Sequence, residues 1–315
     1  MRCSFVGRLA CAAAVVVLSI PMWGLAQGVW REPNRRGDVK WAPCIYGRKG
    51  GISGMAPLNA AVGEYLVIQD NKKAKDDHVG VLSYHGGGAA KFVALPWPEG
   101  GTTPVDLESV AAVPMLATNS YFALASAGNV YHIQLVGSNR TVKLLKEFDL
   151  PDTAEGNNFE SLFVQTMGDK VAILWATRGG GGVATTIRWG VLNLQDLTIS
   201  SVSSTSYTVP WPKGGDVRHM SDMIVTSSNT VYALAARDSG DDGPFVSAIY
   251  KAGELKASDK GVVFVKEAEP VKIRELDGHK AEGFVLIPGV HPFFLLATDD
   301  ENGGSFVTQI AAPHE

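Results

Sequence analysis

The stretch HKAEGFVLIPG, residues 279–289, puts the carboxylate of Glu282 at the head of an apolar run. An acid leading into a buried strand loses hydration, which is unfavourable unless an opposite charge, a proton or a bridging ion compensates it. Four other segments begin alike: a hydroxyl or an acid, an apolar run, a short turn, and a second apolar run ending in charge. The aligned heads are Ser53, Glu108, Glu160, Ser221 and Glu282, at intervals of 55, 52, 61 and 61 residues. Brought to one axis, three carboxylates and two hydroxyls would form an all-oxygen site. That chemistry suits a hard divalent cation, calcium above all, which takes about six to eight oxygen ligands in forgiving geometry. No Cys or His shares these positions, which argues against zinc or copper.

Charged loops follow the second run of each unit. They supply Asp70, then Arg178 in ATRGGGG, Arg237 in AARDSGDDG and Asp299 in ATDDENGG. A cation with guanidinium groups above it suits phosphate, because the metal polarises the phosphoryl group while arginine binds its oxygens in pairs. A neighbouring carboxylate could orient or deprotonate water. Arg178, Arg237, Asp70 and Asp299 are therefore the candidate catalytic residues.

The elements that must position these groups are short runs rich in Val, Ile, Tyr, Phe and Thr, separated by Gly, Asn, Asp and Pro. Examples are EYLVIQD, KVAILWATR, TVYALAAR and FFLLATD, and such runs read as strands. Thirty-five glycines fit frequent tight turns. Each pair of runs is followed by a third and a fourth, and the fourth ends in PWPEGG in one unit and PWPKGG in another. Four strands per unit and five units predict an all-β, five-bladed propeller. The residues left at the two chain ends together make one more unit. The segment DVKWAPCIY is thus expected as the outer strand of the last blade, closing the ring.

At the start, Arg2 and Arg8 flank LACAAAVVVLSIPMWGL, with small residues in GLAQ, which reads as a signal peptide over residues 1–26. One propeller domain over 27–315 and a secreted or periplasmic location follow as expectations. The whole chain carries a net charge of −4, and loss of Arg2 and Arg8 with the leader makes it −6. Nucleic acid and, after cleavage, membranes are poor partners for such a surface. Only Cys44 lies beyond the leader, so no internal disulfide can form. RGD at 36–38 and the sequon NRT at 139 carry no further reading. RGGGG at 178–182 lacks the strand-to-helix context of a phosphate loop.

The cyclic order Ser, Glu, Glu, Ser, Glu, with flanks KAEGFVLI and MSDMIV, resembles the calcium-activated nucleotidase (apyrase) family. It is also similar to esterase-like phytase propellers and related exported propellers. The resemblance implies a calcium ion in the tunnel held by Ser53, Glu108, Glu160, Ser221 and Glu282. The nucleotide-binding loops of that family have no counterpart here. The expected function is therefore non-catalytic binding of a small ligand or a protein at the tunnel mouth, ahead of calcium-dependent phosphoester hydrolysis.

Overall fold

The computed structural model describes residues 39–151, 153, 156–259 and 261–313. The expected leader and the RGD tripeptide lie outside the described residues. Twenty strands, and no α-helix among the described residues, form five four-stranded antiparallel sheets.

Strand β1, Ala42–Ile45, comes first in the chain. Blade one holds β2 (Gly54–Asn59), β3 (Glu64–Ile68), β4 (Val79–Ser83) and β5 (Lys91–Leu95). Blade two holds β6 (Leu107–Ala112), β7 (Ser120–Ala125), β8 (Asn129–Val136) and β9 (Thr141–Asp149). Blade three holds β10 (Phe159–Met167), β11 (Lys170–Thr177), β12 (Thr185–Leu192) and β13 (Ile199–Tyr207). Blade four holds β14 (Val217–Val225), β15 (Thr230–Arg237), β16 (Val246–Ser258) and β17 (Gly261–Asp277). Blade five holds β18 (Ala281–Ile287), β19 (Phe293–Thr298) and β20 (Ser305–Ala311), with β1 paired antiparallel to β20.

The hydrophobic pattern explains this layering. Second strands such as β7 and β19 are apolar almost without a break because each face packs on a different neighbouring blade. Outer strands relax toward alternation or polarity, as in the ISSVSSTSY of β13, five of whose nine residues are exposed. The core is accordingly split into five clusters, one between each pair of adjacent blades. The cluster around Val285, Leu295, Leu66's neighbour Val67 and Tyr65 joins blade five to blade one. The innermost strands touch in the cyclic order β2, β6, β10, β14, β18 and back to β2. The two PWP segments also play equivalent parts: Trp97 packs on the core between blades one and two, and Trp211 on that between blades three and four.

Candidate functional site

The five aligned heads all fall at the openings of innermost strands, and irregular backbone presents them. In β6 the pairing slips between Leu107 and Ser109, leaving Glu108 as the extra residue opposite β7. The same slip isolates Glu160 in β10 and Glu282 in β18. In β14 it spans Arg218 to Asp222 and contains Ser221. Ser53 sits one residue before β2, its N–H bonded to the carbonyl of Ile68 at 3.1 Å. A bulge bends its strand and re-aims the unpaired side chain, so four inner strands turn equivalent residues toward the tunnel by one device. All five side chains are buried. Glu108 is the most accessible carboxyl at 8 % exposure, against 1 % for Glu160 and 2 % for Glu282. The hydroxyls of Ser53 and Ser221 have no hydrogen-bond partner among the described residues.

Around this ring the charges separate into two halves. On the side of blades four and five, buried cations meet the acids. Arg218 Nη1 donates to Glu282 at 2.7 Å and lies 3.7 Å from Glu160, while its Nη2 bonds Asp238. Lys280, fully buried, places Nζ 2.9 Å from Asp299, 2.5 Å from Glu301 and 3.6 Å from Glu282. Burial disfavours the charge on both cations, yet the carboxylates beside them outweigh it and raise their pKa values. Burial likewise works against the Asp238 carboxylate, but Arg218 and Lys280 hold it below the usual range. Gly51 makes the close packing here possible: a Cβ on it would lie 2.0 Å from Asp299 Oδ1.

The side of blades one and two is different. Glu108 is pushed well above the ordinary carboxylate range by burial first, then by Glu160, Glu282, Asp106 and Asp70. Asp70, just beyond β3, is raised to about 6 by burial and by Asp299 and Asp106, with Lys280 pulling the other way. Lys72 bonds Asp106 at 3.1 Å on this side, from a mostly exposed position. Between the halves, burial raises Glu160 as well, while Arg218, Arg178 and Lys280 draw it back.

The structure thus brings Ser53, Glu108, Glu160, Ser221 and Glu282 to one ring and sets Asp70, Arg178 and Asp299 beside it. Arg178 Nε lies 3.7 Å from Glu160 with its side chain 38 % exposed. Asp299 is engaged by Lys280. Arg237 pairs with Asp216, its Nε 3.8 Å from that carboxylate, and makes no ion pair to the ring carboxylates.

Sequence reasoning passed over Arg218 and Lys280. Three crowded carboxylates call for a compensating positive charge, and the chain supplies two cations of its own beside them. Calcium therefore no longer follows from the ring's charge. Among the described residues, no three or more His, Cys, Asp or Glu side chains gather as metal ligands would. A signal for Lys280 was present: it stands two residues before Glu282, on the same side of an extended chain.

No family model matches the chain, and no curated protein matches it by sequence. Its fold is similar to solved structures of carbohydrate-active enzymes. An endo-arabinase from Bacteroides thetaiotaomicron superposes with a TM-score of 0.50 at 9 % identity, covering 90 % of this chain and 97 % of that one. An endo-1,4-beta-xylanase from the same organism gives 0.50 at 10 % identity, covering 88 % and 97 %. These likenesses establish the propeller fold. With the internal ion pairs, they overturn the apyrase and phytase resemblance, and with it both expected functions, the non-catalytic calcium propeller and the calcium-dependent phosphoester hydrolase.

Proposed function

We propose that the tunnel mouth hydrolyses a glycosidic bond, with Glu108 as general acid and Asp70 as general base. One observation carries this reading. On the blade-one and blade-two side of the mouth, burial and neighbouring acids, Asp70 among them, push Glu108 well above the ordinary carboxylate range, and burial with Asp299 and Asp106 raises Asp70 to about 6. A glycosidase needs that division of labour: an acid to protonate the leaving oxygen, and a carboxylate to take a proton from attacking water. Glu108 gives its proton to the glycosidic oxygen as the bond to the anomeric carbon breaks. Asp70 removes a proton from the water that attacks that carbon, and exchange with solvent resets both groups.

The rest of the mouth suits a neutral, hydroxyl-rich ligand. Ser53 and Ser221 offer buried hydroxyls without partners, and Arg178 offers part-exposed donors. The arabinase and xylanase likenesses carry no argument for a reaction, but they name the first substrates to try.

The test is hydrolysis of arabinan and xylan oligosaccharides and of aryl pentosides, followed by reducing-end release. The account expects a bell-shaped pH profile whose rising limb lies near 6, from Asp70. Glu108→Gln and Asp70→Asn should each lower kcat by about 10³-fold with the fold intact. Full activity in both variants, or no turnover across the panel, overturns the reading.

A further inference from the structure

Beneath the ring lies a carboxyl group that the proposed reaction does not use. Asp222 directly follows Ser221 in β14 and is 3 % exposed. Its Oδ1 accepts the backbone N–H of Met223 at 2.8 Å, the hydroxyl of Ser161 at 3.2 Å and that of Ser109 at 3.4 Å. The backbone N–H of Phe284 also donates to the carboxyl. One side chain of blade four therefore holds blades two, three and five. Ser109 in turn accepts the N–H of Leu162 at 2.9 Å, which ties blade two to blade three directly.

The pattern repeats at one position of every unit. The residues that follow the five ring heads are Gly54, Ser109, Ser161, Asp222 and Gly283. In an unbroken strand these would face away from the residues preceding them. The extra residue in each bulge resets that alternation, and Ser109, Ser161 and Asp222 meet as a second tier. At the two remaining units glycine leaves room where a side chain would crowd its neighbours. A Cβ on Gly54 would lie 2.9 Å from Ser109 Cα, and one on Gly283 would lie 3.1 Å from the Cβ of Ala297.

We infer that Asp222 is a positioning residue for Glu108. It fixes Ser109, the residue bonded through the chain to Glu108, and it fixes Ser161 next to Glu160. Glu160 also has Arg178 and Arg218 beside it, whereas Glu108, on the unpaired backbone of its bulge, forms no ion pair. A polar group this deeply buried is costly unless its hydrogen bonds are made, and four donors from four places make them. A shift of a reacting group by about 1 Å is enough to cost about 10²-fold in rate, so the tier beneath Glu108 bears on chemistry without touching substrate.

The kinetic part of the test rests on the proposed hydrolysis, and a second readout does not. Asp222→Asn keeps the Oδ1 acceptor, whereas Asp222→Ala removes it. The account expects the Ala variant to lose about 10²-fold in kcat with KM within about 3-fold, and the Asn variant to stay within about 5-fold of the parent. Independently, in protein labelled with carboxyl-13C glutamate, the Glu108 titration midpoint should move by about half a pH unit or more in the Ala variant and stay put in the Asn variant. Where Asp222→Ala fails to fold, Ser109→Ala is read by the same two measurements and should show the same changes at about a tenth of the rate effect. An unmoved midpoint in the folded Asp222→Ala or Ser109→Ala variant overturns the inference, as does a midpoint in the Asn variant displaced as far as in Ala. A moved midpoint in a protein that hydrolyses no glycan supports it while removing the proposed function.

Discussion

The two halves of the tunnel mouth solve one electrostatic problem in opposite ways. Where blades four and five meet, buried acids are matched by buried cations: Arg218 against Glu282, Glu160 and Asp238, and Lys280 against Asp299 and Glu301. Where blades one and two meet, Glu108 and Asp70 are raised by burial and by other acids, and protons take the part that cations take opposite. Ion pairing does not fully offset burial on the side of blades four and five, since Glu282 is still raised well above the usual carboxylate range against the pull of Lys280 and Arg218. A half that holds protons can give and accept them. The comparison teaches that the two buried cations are set against the acids of blades four and five, leaving Glu108 and Asp70 with no ion pair to either.

Breaking the matched half should have the largest effect on stability. Lys280→Met removes a fully buried charge and leaves Asp299, Glu282 and Glu301 uncompensated, which should cost about 3–5 kcal/mol in urea unfolding at pH 7. Arg218→Met should cost a comparable amount and should also raise the titration midpoint of Asp238, since that carboxylate depends on it.

The proton-holding half predicts the reverse sign. Through the window from pH 4 to 6 the folded chain keeps a proton on Asp70 that the unfolded chain gives up. Stability contributed by this site therefore falls as pH rises through that window. Asp70→Asn removes the penalty and should stabilise the protein by about 1–2 kcal/mol at pH 7, and by close to nothing at pH 4. Loss of that difference between the two pH values would show that Asp70 is an ordinary surface acid.

Calcium should have the smallest effect. With Arg218 and Lys280 in place, millimolar calcium against chelator is expected to move Tm by less than about 1 °C, whereas a site at a hundredfold saturation would add about 2.7 kcal/mol. A rise of several degrees would restore a metal to the ring and weaken the contrast between its halves.

Much of this architecture was legible in the sequence. The repeat of an apolar run headed by Ser or Glu marked all five inner strands, and its register held to the residue, because bulges at Glu108, Glu160 and Glu282 place the same position of each blade at the mouth. The compensation of charge was not legible. Lys280 and Arg218 read as polar flanks of strands, and only the packing of blade on blade shows that one is wholly buried and the other bridges three acids. Asp222 was hidden in the same way: inside MSDMIV it looks like a break in an apolar run, and its hydroxyl donors lie 61 and 113 positions away in sequence, with a further donor in the next blade. Arg237 shows the converse, since a promising loop position after a strand is occupied by a local pair with Asp216.

The most direct test of the account is the titration of Asp70 and Glu108 by 13C NMR of carboxyl-labelled aspartate and glutamate between pH 3 and 9, assigned with Asp70→Asn and Glu108→Gln. The account predicts an Asp70 midpoint near 6 and a Glu108 midpoint well above the ordinary carboxylate range. Midpoints for both Asp70 and Glu108 in the ordinary range of about 4 would contradict it.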